Sequence, residues 1–393
     1  MLKAAVIGAS GFGAIHCSDL LRQYEAGRLA ISGAVVRDPA KAPDMVAKLV
    51  AAGATIYPDH HAMLAALAGK LDLCMIPTSI PTHADLTIAA LRSGANVFVE
   101  KPAAATPGQV DAMQAAAASA GKLVAVGFQN MYAPETMVMK RAILDRDIGD
   151  LVSLKCLGMW PRLDRYYASS WIGRIHANGQ PVFDSPANNA MAHQLNMMCF
   201  LAGPTLESPA RLATAEAELY RAHDIETADI VALRLKTDTG AAIVFLGTHA
   251  SEASRNPEIV VTGTKGSMHW TFERLRITRA DGTTEEMASG TGPELRDAML
   301  ARVLDRLEGR EGFVCSLGIA RVHALAIAAM HRSSDVTAVP ADQVTRTPAD
   351  GSVKTVVAGL DSMLDRCFAE ARLPSEIGVS WAVPGEVVAV EES

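Results

Sequence analysis

Four groups of residues in this chain have types and spacings that can do chemistry. The run Gly8-Ala9-Ser10-Gly11-Phe12-Gly13 follows a short apolar stretch and precedes a helical pattern. Backbone N–H groups in such a turn, together with the helix N-terminus, favour an anion such as a nucleotide pyrophosphate. Gly8 permits the tight turn and Gly13 permits close helix–strand packing, while Ser10 stands where the middle glycine usually lies, with Gly11 beside it. Lys101 follows the apolar run 95–99 and precedes Pro102, so its ammonium belongs at the carboxyl end of a strand, where open α/β sheets bind ligands. His193 has Asn189 four residues before it and Asn196 three after it, a spacing that shares one helix face. Its imidazole suits a general base because it titrates near neutrality. Finally, Trp160, Arg162, Tyr166, Tyr167 and Trp171 crowd a short span. Aromatic faces stack on sugar C–H surfaces, and guanidinium forks bind hydroxyls or carboxylates. Each group also has a structural reading: a tight turn, a solvated turn lysine, a satisfied core histidine, an aromatic loop.

These residues need elements to hold them. Apolar runs at 4–7, 29–36, 54–56, 71–76, 95–99 and 123–128 alternate with helical patterns at 13–26, 40–52, 59–67, 82–93 and 107–120. That alternation predicts a doubly wound parallel sheet with helices on both faces, a Rossmann-type α/β domain over 1–128. The second run ends Val35-Val36-Arg37-Asp38. An acid at this point binds the ribose 2′-hydroxyl of NAD, and an arginine accommodates the 2′-phosphate of NADP. Val36 occupies the acid position, Arg37 leans towards NADP, and Asp38 keeps NAD open.

Beyond 128 the pattern changes. Asp184-Ser185-Pro186 is a helix start, and 187–201 is predicted to be one helix ending before Gly203. β patterns follow at 215–220, 230–236, 241–248, 258–262 and 266–272, then helical patterns at 294–308, 317–332 and 353–369. The segment 373–383 is expected to pack on the first domain or edge the active site. The second domain is read as α+β, 129–393, with substrate-binding and oligomerisation roles.

Composition narrows the classes. The 393 residues suit two domains, and net charge −7 gives no basic surface for nucleic acid or anionic lipid. No apolar run reaches the roughly 18 residues of a membrane span. The six cysteines are scattered, with no C-x-x-C pair and no zinc spacing, so no metal is expected and the reducing cytoplasm is.

In its first third the chain resembles the Gfo/Idh/MocA oxidoreductase family. The likeness runs through the turn 8–13 with His16, Asp72 to Pro77 with Thr78 and His83, and Ser93-Gly94 leading into Glu100-Lys101-Pro102. It continues through Gly127-Phe128-Gln129 with Pro134, and Ile148-Gly149. The resemblance implies NADP or NAD held by Gly8, Ser10, Gly11, Phe12, Gly13, Arg37, Thr78, His83, Glu100, Lys101 and Gln129. It implies that Lys101 hydrogen-bonds the reacting oxygen and that His193 takes its proton. The family pattern places an acid four residues before that histidine, where this chain has Asn189. Arg162, Tyr166, Trp171 and Asn196 are the expected substrate contacts. The second domain is then a large, mostly antiparallel open sheet, and the protein a homo-oligomer, dimer or tetramer. The Lys101–Pro102 bond is expected to be cis in the manner of some relatives. The implied reaction is hydride transfer between nicotinamide and a secondary alcohol or carbonyl of a sugar, polyol or sugar derivative. A non-catalytic sugar or nucleotide sensor and a redox-neutral, NAD-dependent glycosidase remain the alternatives.

Overall fold

A computed structural model describes residues 1–391, and the chain divides into two compact units. One comprises Met1–Tyr132 with Gly292–Arg321, the other Ala133–Thr291 with Val322–Ser393.

The first unit is built on six strands: β1 (Leu2–Ile7), β2 (Leu29–Val35), β3 (Thr55–Tyr57), β4 (Leu73–Ile76), β5 (Asn96–Val99) and β6 (Val124–Val126). They pair in the order β3-β2-β1-β4-β5-β6, every neighbour parallel. The order reverses between β1 and β4, which opens a crevice beyond their carboxyl ends. β4 is buried along its whole length, as a strand covered on both faces must be. The helix Pro107–Ala120 begins with a capping box in which the Thr106 hydroxyl accepts from the Gln109 amide and the Gln109 side chain accepts from the Thr106 amide.

The second unit centres on one large sheet. Its order is Thr284–Ala288, Arg274–Arg279, Gly266–Trp270, Arg255–Gly263, Leu151–Met159, Ala242–Thr248, Ile230–Thr237, Leu212–Arg221 and Val336–Ala338, with Val388–Ala389 added on Leu212–Arg221. Two pairs are parallel, Leu151–Met159 with Ala242–Thr248 and Leu212–Arg221 with Val336–Ala338, and the rest are antiparallel. Alternation along the central strands sends Leu157, Met159, Val244 and Leu246 to one face, where Leu360, Leu364 and Cys367 of the helix Leu360–Glu370 cover them. The intervening Gly158 and Gly247 sit opposite each other on the other face. A Cβ on either would meet the Met191 sulfur, at 2.7 and 3.3 Å. Two facing glycines therefore make the seat for the segment that carries His193.

The C-terminal region differs from the sequence expectation. Residues 353–369 are not one helix: Ser352–Val357 is a strand paired with Val344–Ala349, and only Leu360–Glu370 is helical. Asp350-Gly351 closes this hairpin with both residues at positive φ, as a two-residue primed turn requires. The segment after it stays with the second unit. Trp381 packs edge-on against Tyr220 at 4.9 Å, and Glu376 accepts from Arg234 at 2.8 Å.

Candidate functional site

In the first unit the turn after β1 is shaped by glycine. Gly8 and Gly11 have φ of 104° and 58°, the left-handed region that side chains avoid. A Cβ on Gly13 would lie 2.8 Å from the Gly8 carbonyl oxygen. Ser10 is tolerated because the left-handed residue is Gly11, one position later. Gly11 is also the N-cap of the helix Phe12–Glu25, which has no side-chain cap and no acid in its first turn. The Gly13 and Ala14 amides bond to the Ser10 and Gly11 carbonyls, no side chain occupies the helix end, and the helix dipole favours an anion there. These features fit a dinucleotide pyrophosphate. Phe12 is 51% exposed and meets His16 edge-on at 5.2 Å.

Glu100 and Lys101 follow β5. The buried Glu100 carboxylate hydrogen-bonds His16 Nε2 at 2.9 Å and accepts the Lys101 amide at 2.9 Å. Glu100 thus ties the end of β5 to the glycine-turn helix. The Lys101–Pro102 bond is cis. His83, fully buried, joins the Pro102 carbonyl at 2.8 Å on Nδ1 and the Thr78 carbonyl at 3.0 Å on Nε2. Burial pushes its pKa down against the opposing pull of the two carbonyls, and in the neutral form the ring's single N–H donates to one of them at a time. Thr78 exchanges a hydroxyl hydrogen bond with Thr82 at 2.7 Å. Gln129 opens the short turn Gln129–Tyr132, its amide bound to the Gly127 carbonyl. At the end of β2, Val36 is buried and Arg37 exposed; Asp38 caps the turn Pro39–Lys41 through the Ala40 amide and lies 3.6 Å from Lys41.

In the second unit the predicted continuous helix 187–201 is broken. Pro186–Ala190 is a π turn, with the Met191 amide reaching the Pro186 carbonyl five residues back, and the α-helix proper is Ala192–Leu201. Ser185 caps the turn through the Asn188 amide, and Pro186 occupies its first position as expected. The wide turn changes the angular step per residue, so the simple one-face count from Asn189 to His193 does not hold. Every residue of Ala192–Leu201 is buried except His193. Burial of Leu195, Met198, Phe200 and Leu201 anchors the helix, at roughly 1.5–3 kcal/mol per large side chain. The Phe200 carbonyl of its last turn and the Gly203 carbonyl just beyond it both accept from the buried Lys140 ammonium at 2.6 Å. That cation complements the negative end of the helix, although burial pushes its pKa down to about 7.

Asp184 is an acid in direct contact with Asn189. It is buried, accepts the Gly173 amide at 2.7 Å, and accepts the Asn189 side-chain amide at 2.9 Å. Asn189 also donates to the Tyr166 hydroxyl at 3.3 Å. Carboxylate, amide and phenol thus form one chain beside the His193 helix. Arg162 stacks over Tyr166, 4.9 Å from the ring centre. Trp171 is half-exposed. Asn196 is fully buried, and its amide atoms have no hydrogen-bond partner among the described residues. Sequence reading passed over three supports of this region: His249, His223 and Asp229. His223 Nδ1 lies 2.5 Å from the Asp229 carboxylate, and His249 Nδ1 lies 2.9 Å from the Trp160 carbonyl. No local spacing links these residues, since strand pairing brings them together. Among the described residues no group of three or more His, Cys, Asp or Glu side chains is arranged to hold a metal ion, and no helix is long and apolar enough to cross a membrane.

A glycine-cradled helix N-terminus on a 3-2-1-4-5-6 parallel sheet, joined in one chain to a large mixed sheet, defines a two-domain dinucleotide-binding protein. The chain belongs to the Gfo/Idh/MocA family. Residues 2–128 match the oxidoreductase family's NAD-binding Rossmann fold, and residues 136–269 match the Gfo/Idh/MocA C-terminal domain. Among curated relatives, it is 27% identical over 201 residues to inositol 2-dehydrogenase of Klebsiella pneumoniae, covering 51% of this chain and 54% of that protein. The chain therefore spans about half the length of the curated relatives it matches. Among solved structures, an NAD-binding oxidoreductase from Klebsiella pneumoniae superposes with TM-score 0.70 at 20% identity, covering 84% of this chain and 96% of that one. The WlbA dehydrogenase of Bordetella pertussis, solved with NADH and UDP-GlcNAcA, gives 0.69 at 19% identity, covering 84% and 95%. These two likenesses are of fold.

Proposed function

We propose that this protein is an NAD(P)-dependent dehydrogenase or reductase acting on a secondary alcohol or carbonyl of a sugar, polyol or sugar derivative. The observation that carries the proposal is in the first unit: Lys101 stands at the carboxyl end of β5, tied through Glu100 and His16 to the uncapped helix of the glycine turn. Gly8, Ser10, Gly11, Phe12 and Gly13 hold the pyrophosphate, with Thr78, His83 and Gln129 shaping the same unit's crevice. The Lys101 ammonium stabilises negative charge developing on the reacting oxygen. His193 takes the hydroxyl proton as general base, oriented by Asn189 and Asp184. When bound, the nicotinamide supplies the hydride acceptor or donor. Arg162, Tyr166 and Trp171 bind the substrate, and Asn196 supports the His193 face from within.

Arg37 favours NADP, with NAD the competing cofactor. The apolar Val36 at the acid position and the use of Asp38 as a turn cap support that choice. Six unpaired, buried cysteines support a cytoplasmic setting. A dimer or tetramer follows from the family likeness, formed through parts of the large sheet that the helix Leu360–Glu370 leaves uncovered. The test is absorbance at the reduced-nicotinamide band with both cofactors, in both directions, against a panel of sugars and polyols. Cofactor-dependent turnover is expected. Tight nucleotide binding with no net redox change on any member would overturn the proposal in favour of a sensor or a redox-neutral glycosidase.

A further inference from the structure

We infer that the substrate carries a carboxylate and that Arg162 recognises it. The inference rests on the dehydrogenase reading above and narrows its substrate class.

Arg162 leaves the strand Leu151–Met159 three residues beyond its end, yet its backbone is fixed at both polar groups. Its N–H donates to the His249 carbonyl at 2.9 Å, and its carbonyl accepts from His223 Nε2 at 3.1 Å. His223 is in turn held by Asp229, a fully buried carboxylate that also accepts the Ala222 and His223 amides. Three buried groups therefore fix the backbone of one half-buried arginine. A surface residue with no task does not need that support.

The guanidinium is held as well. Its central carbon lies 4.9 Å from the Tyr166 ring centre and 5.8 Å from that of Trp160, a cation–π arrangement on two rings. Other arginines of this unit have partners for the guanidinium: Arg174 pairs with Glu226 and Arg234 with Glu216 and Glu376, while Arg165, Arg221 and Arg346 donate to the carbonyls of Asp350, Ile225 and Ala222. Arg162 has no carboxylate within ion-pair distance among the described residues, and its Nε is buried with no hydrogen-bond partner among them. The neighbouring acids are engaged otherwise. Asp184 holds Gly173 and Asn189, Asp229 holds His223, and Asp164 lies 3.8 Å from His223 and accepts from Thr355. His249 is kept neutral by burial and by Arg162 itself.

A half-buried cation with no counter-ion is costly unless a ligand supplies one. A planar fork matches a carboxylate with two parallel hydrogen bonds, whereas a neutral hydroxyl leaves the charge uncompensated. A dianionic phosphate calls for a second cation, and Arg174, which precedes the start of the His193 helix in sequence, is committed to Glu226. The ligand that fits is a monoanionic sugar acid. Tyr166, under the guanidinium, takes the Asn189 amide on its hydroxyl, which places this cation beside the chain leading to the His193 helix.

The test uses the full-length protein with its cofactor and matched substrate pairs: D-galacturonate and D-glucuronate against their methyl esters, and D-gluconate against D-glucose and myo-inositol. Wild type is expected to favour the acids by about 30-fold or more in kcat/KM, expressed mainly in KM. Arg162→Met is expected to remove that preference, lowering kcat/KM for the acids about tenfold or more further than for their esters and polyol counterparts. Arg162→Lys, which keeps the charge without the fork, is expected to keep part of it. Wild-type turnover of neutral members as good as or better than that of the acids overturns the inference and leaves the dehydrogenase reading standing. So does an acid preference that survives in Arg162→Met. No cofactor-linked turnover of any member overturns the dehydrogenase reading, and this inference with it.

Discussion

The two units offer different materials for the proposed binding. In the first, the cradle is backbone: positive-φ glycines, a close approach at Gly13 and an uncapped helix end. In the second, it is side chains: Asp184, Asn189, Tyr166 and Arg162, each placed by a different loop or turn. A backbone cradle recognises what nucleotides share, a phosphate charge. A side-chain site recognises what distinguishes one substrate from another. The comparison teaches that cofactor class should be robust to side-chain change, and substrate choice sensitive to it.

The comparison can be broken most easily at Lys101. Lys101→Ala is expected to lower kcat by about 100- to 10,000-fold with cofactor affinity largely kept, as measured by steady-state kinetics and cofactor fluorescence titration. A loss of cofactor binding in place of turnover would make Lys101 part of the cradle. Next is Gly13→Ala. The new Cβ would press on the Gly8 carbonyl at 2.8 Å, so cofactor Kd should rise by about tenfold or more and stability fall by about 1–3 kcal/mol. Sugar preference among substrates still turned over should not change. Asp184→Asn removes the acceptor for Gly173 and Asn189, and is expected to cost about tenfold in kcat and to move the acidic limb of the pH profile. An unmoved limb would reduce Asp184 to a loop brace.

Two smaller effects sharpen the contrast. His249 and His331 of the second unit are pulled down to about 4 by burial, with Arg162 adding to the shift at His249. Unfolded histidine titrates near 6.5, so the unfolded chain binds more protons between those values. Their contribution is full above about pH 6.5 and is lost as pH falls towards 4. Thermal unfolding across that window should show the loss, and His249→Gln should flatten it. Arg37→Ala should shift the NADP/NAD ratio of kcat/KM by roughly fivefold towards NAD, consistent with one exposed ion pair. An unchanged ratio would remove Arg37 from cofactor choice.

The same contrast explains what the sequence made legible. β1, the glycine turn and β5 with Lys101 could be read because short apolar runs and glycines act locally. The parallel order that brings Glu100 to His16 was foreseeable from the alternation of elements. In the second unit, the strand Leu151–Met159 at the middle of the sheet lies outside the β patterns expected from the sequence, and the segment after Asp350-Gly351 reads as helix although that dipeptide is a hairpin signal. Val353, Val356 and Val357 fit a helical face as well as a strand, so periodicity alone did not decide. The π turn at Pro186–Ala190 depends on Met191 sitting over Gly158 and Gly247, residues far apart in sequence. Asp184 stood in plain view as a cap candidate, but its bond to Asn189 is tertiary.

The central claim is that a backbone cradle holds the nucleotide while His193 performs the proton transfer. It is tested most directly by measuring the single-turnover hydride-transfer rate and the cofactor Kd on the same preparation of His193→Ala. The expected result is a rate lower by about 100-fold or more with a Kd within about twofold of wild type. A wild-type rate, or a cofactor affinity lost in proportion to the rate, would contradict it.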